Sequence, residues 1–331
     1  MNRRAWLWVA ASTGVGFCLI AALMATVRAD LTTIEDAISQ MQPQLFGLLV
    51  VLLAINTLIS AEKWRLTDRR FSKVVHNPTP GPFYFALTAI GFAFGQIMPT
   101  QVSMAVSRSL GLYFFGERGV ARGATATIFE QAFDLLVAVF LTLALGSFAL
   151  TGGGCLTWAL WACASSVLGL VFAGAGIEAV AGGLRRLQTA ERYASATRAK
   201  RIIEAFLSST LFAPELARRL FILSILRFVV VTLMAGVTTA IGQLDIPLWQ
   251  ISAVIPLIIL TSVIPIAPAG LGVNEWAFVM VMTAFRTPAD IAAQWVVLNR
   301  VLAIMAGVQV GVTGIVVGMA ARAARGSSPS V

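Results

Sequence analysis

The sequence is short of the groups on which most enzymes rely. Its 331 residues include one histidine and three cysteines, and only 12% are charged. The histidine, His76, lies in the turn-like segment HNPTPGP with no cysteine or second histidine beside it. That argues against histidine-based catalysis and reads as a loop residue. Cys18, Cys155 and Cys163 lie in or beside apolar runs at unpaired spacings. Neither a disulfide framework nor a zinc site is expected from them, and they read as packing residues. No metal or other cofactor is implied.

Apolar residues are abundant instead. They make up 58% of the chain, in several runs longer than the roughly 18 residues that mark a membrane span. A soluble core of this size could not enclose them. The reading is an all-α polytopic membrane protein, a single integral domain over 1–331. The net charge of +9 would suggest nucleic acid in a soluble protein. Here the basic residues crowd into a few short loops and report membrane orientation, so no nucleic-acid partner is expected.

Arg3 and Arg4 precede an apolar run from Trp6 to Val27, which is too long for an ordinary signal-peptide core and reads as a retained first helix. A second span, Leu45 to Ala61, leads into EKWRLTDRRFSK, whose Lys63, Arg65, Arg69, Arg70 and Lys73 mark a cytoplasmic loop. Residues 83–115 then form a hairpin, either re-entrant or two tilted helices, with positive charge at both ends. Spans at about 124–150 and 156–181 flank a glycine turn at 152–154. A basic loop over 182–219 reads as an amphipathic helix on the inner leaflet or as a solvated linker. A span from Leu220 to Ile241, a second hairpin over about 251–285 and a last span from about 291 to 320 complete the chain.

This layout amounts to about six full spans plus two re-entrant or broken hairpins in an inverted repeat. The halves are 1–154 and 155–320, followed by a cytoplasmic tail at 321–331. Both termini are expected inside, in a bacterial-type inner membrane. Repeated broken hydrophobic segments are the best sequence pointer to a transporter's binding site.

The hairpins also carry charge. Arg108, Glu130, Asp134, Arg227, Glu275 and Arg300 fall within or close to apolar segments. Each would cost about 2.5–3.5 kcal/mol at a helix centre, so each should be paired or face a cavity. Arg108 and Arg300 could each pair with Glu130 or Glu275, and sequence does not choose between them. Such pairs could be structural bridges or a headgroup site. Arg227, two turns into its span, could reach the interface by snorkelling. Pro99, Pro265 and Pro268 interrupt helical hydrogen bonding, while Gly270 and Gly272 permit tight turns. The half-helix that follows would then offer free N–H groups to an anion.

At these residues the chain resembles the lysylphosphatidylglycerol synthase transmembrane-region family of flippase-like membrane proteins. The second family motif stands as PIAPAGLGVNE at 265–275, with Arg300 downstream. The first stands as MPTQVSMAVSR at 98–108, which keeps Pro99 and Arg108 without intervening glycines, and Glu130 is followed by Gln131. The resemblance implies a lipid or lipid-linked substrate, anionic or glycosylated, translocated across the membrane. On the translocase reading, the headgroup enters between the hairpins and is expected to contact Arg108, Glu130, Asn274, Glu275 and Arg300. Some relatives carry a soluble aminoacyl-transferase domain; the chain ends here in RAARGSSPSV, so an enzyme is not expected. The alternatives are a non-transporting partner of a lipid or glycan synthase, and a proton-coupled small-solute transporter.

Overall fold

The computed structural model describes residues 14, 18–26, 31–71, 81–96, 100–114, 120–189, 213–261 and 271–326. Every regular element among them is a helix. In chain order these are α1 (18–26), α2 (Leu31–Ser39), α3 (Pro43–Phe71), α4 (Gly81–Phe94), α5 (Thr100–Phe114), α6 (Val120–Thr151), α7 (Cys155–Thr189), α8 (Pro214–Ile241), α9 (Leu248–Thr261), α10 (Val273–Ala284) and α11 (Ala289–Gly326). The motif residues Pro99, Pro265, Pro268 and Gly270 lie outside the described residues, as do His76 and most of the 182–219 loop.

Five helices, α3, α6, α7, α8 and α11, are long and apolar enough to cross a membrane. The chain is an integral membrane protein. The two hairpins are built differently. The 14 residues of α4 and of α9 rise only about 21 Å each, short of a hydrocarbon core of roughly 30 Å. Their partners α5 and α10 have 15 and 12 residues.

Local signals account for several boundaries. Pro214 occupies the first turn of α8 with Glu215 beside it. There the missing proline N–H costs nothing and the carboxylate complements the helix dipole. Between α6 and α7 the chain reverses through Gly152 (φ 67°) and Gly153 (φ 118°), a backbone that side chains with a Cβ rarely adopt. One boundary differs from the sequence reading. α3 runs on to Phe71 rather than ending near Ala61, so Lys63 is not a loop residue but is buried inside the bundle.

The same order of elements occurs twice: a long helix, two short helices and a long helix. The sets are α3, α4–α5, α6 and α8, α9–α10, α11. Within them α5 packs on α6 as α10 packs on α11. Across them α4 lies along α11, α9 lies along α6, and α3 faces α8. Aromatic packing ties the second pair together, with Phe278 of α10 stacked on Trp295 of α11 at 4.4 Å.

The α4–α11 contact is made by small residues. Gly307, Gly311, Gly314 and Gly318 form two GxxxG steps on α11, facing Ala86, Ala89 and Ala93 of α4 and, at Gly307, Gln96 just beyond it. Lipid is as apolar as a leucine side chain, so helices associate in it by close backbone approach rather than by hydrophobic exclusion. By contrast α7 is peripheral, with only 11% of its apolar stretch buried against 33–39% in the other four spans. Leu156, Leu160, Val167, Leu168 and Val171 face outward from it. The three cysteines are exposed as well, which corrects their reading as packing residues: Cys155 and Cys163 belong to this peripheral helix.

A Cβ at position 314 would stand 2.6 Å from the Ala89 Cβ. Gly314→Leu should therefore lower stability by about 1–3 kcal/mol through overpacking, read as earlier thermal unfolding in detergent. Gly146→Ala, where an added Cβ meets nothing within 4 Å, should leave the transition in place or raise it.

Candidate functional site

Charged side chains inside the bundle fall into three groups. The first is centred on Arg108 of α5, which is fully buried. Its Nη1 donates to Glu130 Oε1 of α6 and to Thr127 Oγ1 at 3.3 Å. Its Nη2 reaches Ser60 Oγ of α3 at 3.1 Å, the Ser60 carbonyl at 3.4 Å and Thr88 Oγ1 of α4 at 3.4 Å. The guanidinium also lies over the Trp64 ring, 4.9 Å from its centroid. One side chain therefore joins α3, α4, α5 and α6. Trp64 in turn meets Tyr84 edge-on at 4.7 Å, and the Tyr84 hydroxyl donates to Asp68 at 2.8 Å.

The second group has the charges exchanged. Glu275 lies in the first turn of α10, and its Oε1 accepts from Arg300 of α11 through Nε at 3.0 Å and Nη2 at 2.6 Å. Its Oε2 accepts the Gly272 N–H at 2.6 Å. Gly272 has φ +83°, so the chain enters α10 through a conformation that favours glycine. Asn274 beside it accepts from Thr261 Oγ1 of α9 at 3.0 Å, closing α9 against α10.

Structure thus selects among the pairings that sequence left open: Arg108 takes Glu130 and Arg300 takes Glu275. The five site residues inferred from the motifs do not converge on one point. They form two separate knots, one in each helix set. At the N-terminus of α10, expected to offer free N–H groups to an anion, the Gly272 N–H is taken by the helix's own Glu275.

The third group was only partly visible in sequence. Asp134 of α6 accepts from Lys63 Nζ of α3 and from Arg227 Nη1 of α8, both at 2.5 Å. Arg227 Nε donates to Asn56 Oδ1 of α3 at 3.0 Å, and its guanidinium lies 5.5 Å from the Phe92 ring. The snorkelling expectation for Arg227 is corrected here. Because α8 begins at Pro214, Arg227 is the fourteenth of its 28 residues, too deep to reach either helix end. The missed residues carried a signal: Asn56, Ser60, Lys63 and Thr67 recur at i, i+4, i+7 and i+11, a polar stripe on an apolar helix. The basic cluster that follows Lys63 obscured it.

A family model described as the lysylphosphatidylglycerol synthase TM region matches residues 9–311. The chain belongs to this family. The match covers both helix sets and all three charge groups, up to the Gly311 step of α11. No curated protein and no solved structure was found to match it.

Removing one partner of a buried pair leaves the other charge uncompensated, at a cost of about 3–5 kcal/mol. Arg108→Leu and Glu130→Leu should each destabilise on that scale, and the double variant should lose clearly less than the two combined. A double-mutant cycle on thermal unfolding in detergent measures this. Strictly additive losses would show that the two side chains are not energetically coupled.

Proposed function

We propose that this protein translocates a lipid or lipid-linked substrate, anionic or glycosylated, between the leaflets of a bacterial-type inner membrane. The two helix sets act as the halves of an inverted repeat. The observation that carries the reading is where the strong and the weak contacts lie. Each half is closed internally by its own ion pair, Arg108–Glu130 or Glu275–Arg300. Between the halves, α4 meets α11 through glycine and alanine, and α6 meets α8 through the Asp134–Arg227 pair.

Smooth small-residue faces between α4 and α11 allow one rigid half to slide or rock against the other with both internal ion pairs intact, and the partly exposed Asp134–Arg227 pair is the charge contact that crosses between the halves. Alternating access by inverted repeats requires such a motion around a central site. The headgroup would pass between the halves while its tails stay in lipid, and no covalent step is involved. The motif residues Arg108, Glu130, Asn274, Glu275 and Arg300 then hold the hairpins in shape around the path rather than presenting free charges to it. That same satisfaction favours one other reading, a non-transporting partner of a lipid or glycan synthase, since filled ion pairs need no ligand.

In liposomes, the purified protein should accelerate exchange of headgroup-labelled lipid between leaflets, and Gly311→Leu protein that still folds should be slower because its sliding face is blocked. An absence of exchange for every lipid of the native membrane, with co-purification of a membrane-bound synthase, would replace this reading with the partner. The orientation is tested separately in a cysteine-free background. A cysteine at Ser195 should be shielded from an impermeant thiol reagent in intact cells, and labelling there would refute cytoplasmic termini and the inverted layout.

A further inference from the structure

Arg227 belongs to α8 in the second half, yet the partners of its guanidinium among the described residues all belong to the first. They are Asn56 of α3, Phe92 of α4 and Asp134 of α6. One side chain is thus inserted from one half into the other, with Asn56 fixing its Nε at 3.0 Å.

Asp134 is held twice. Lys63 Nζ donates to its Oδ1 and Arg227 Nη1 to its Oδ2, each at 2.5 Å, so the two cations occupy different oxygens. Lys63 stands on α3, in the same half as Asp134. The carboxylate therefore has one counter-ion that travels with it and a second that stays with the opposite half. Access differs in the same sense, since the Lys63 side chain is 1% exposed and that of Arg227 24%. A buried charge stripped of its last partner is strongly destabilised, but Asp134 can lose Arg227 and still keep Lys63. The Arg108–Glu130 and Glu275–Arg300 pairs each lie within one half and need not break when the halves part.

We propose that Arg227 is a bolt between the halves and that Lys63 is the reserve counter-ion that lets the bolt be drawn. This deepens the translocase reading and rests on it for the motion of one half against the other. In the shut state Asp134 is shared, and in the drawn state Lys63 holds it alone. Arg227 favours the shut state, whereas Lys63 lowers the cost of the drawn one. Two cations on one carboxylate therefore push the same equilibrium in opposite directions, because each has a different affinity for the two states. Two ordinary structural bridges would act in the same direction.

The test is the rate at which a small uncharged maleimide labels Val237→Cys in the purified full chain in detergent, with the native cysteines replaced. Val237 of α8 is buried in a cluster with Leu49 and Leu53 of α3, so its labelling rate follows the population in which the halves have separated. Met282→Cys is the control for general loosening, because Met282 is buried among residues of α9, α10 and α11 in the second half. Arg227→Gln, in which Asp134 keeps Lys63, should label at 237 about 10- to 100-fold faster, the scale of one charge-assisted hydrogen bond. Lys63→Gln, in which Asp134 keeps Arg227, should label there more slowly than the parent. Labelling at 282 should stay constant in both. Each variant leaves Asp134 one cation, so both are expected to fold. Arg227→Lys, which keeps the charge and loses the planar fork, should label at an intermediate rate and provides the comparison if the glutamine variant does not fold.

Shifts of the same sign at 237 in Arg227→Gln and Lys63→Gln, or no shift in either, would overturn the proposal and make both bridges structural. Acceleration at 282 in parallel with 237 would overturn it as well. Opposite shifts in a protein that moves no lipid keep the bolt and remove the translocase. Lipid exchange without opposite shifts does the reverse.

Discussion

A guanidinium in a membrane interior must find acceptors within the protein, and Arg108 finds them on three other helices. Ser60 and Thr88 supply oxygens from α3 and α4, while Thr127 and Glu130 supply them from α6. The Trp64 ring covers the guanidinium from α3. Because lipid offers no alternative partner, none of these helices can drift without leaving a buried cation short of acceptors. The placement of the first hairpin follows from this single constraint. Much of the first half is then arranged around it, with Lys63 drawn inward from what looks like a loop and Asp134 one turn along α6 to receive it.

The second half solves the same problem with the signs exchanged. Its short helix carries the carboxylate and its long helix the guanidinium. Glu275 does double service, since its second oxygen caps the helix it starts. Both of its oxygens are thus engaged within the protein. Ion pairs close each half, while between the halves glycine and alanine line the α4–α11 contact and the Asp134–Arg227 pair joins α6 to α8.

The exterior follows a simpler rule. Leucine, valine and isoleucine on α7 and on the outer faces of α3, α8 and α11 are exposed, as expected where the solvent is hydrocarbon. They carry no pairing information, which is why such stretches announce a span yet say little about which helices are neighbours.

The sequence by itself determined the class, the order of the main apolar segments, and the identity of most of the buried charges; it read about six full spans, where five helices among the described residues are long and apolar enough to cross a membrane. Hydropathy and the cost of charge in lipid act locally, so they can be read along the chain. It also supplied the family, which the match over 9–311 bears out. What it could not decide was which opposite charges meet. Arg108 is 22 residues from Glu130, Arg300 is 25 from Glu275, and Arg227 is 93 from Asp134. Which helices meet across each of these separations depends on packing rather than on local propensity. Lys63 is the clearest case: its neighbours along the chain made it a loop residue, and only Asp134, arriving from another helix, made burial cheaper than exposure.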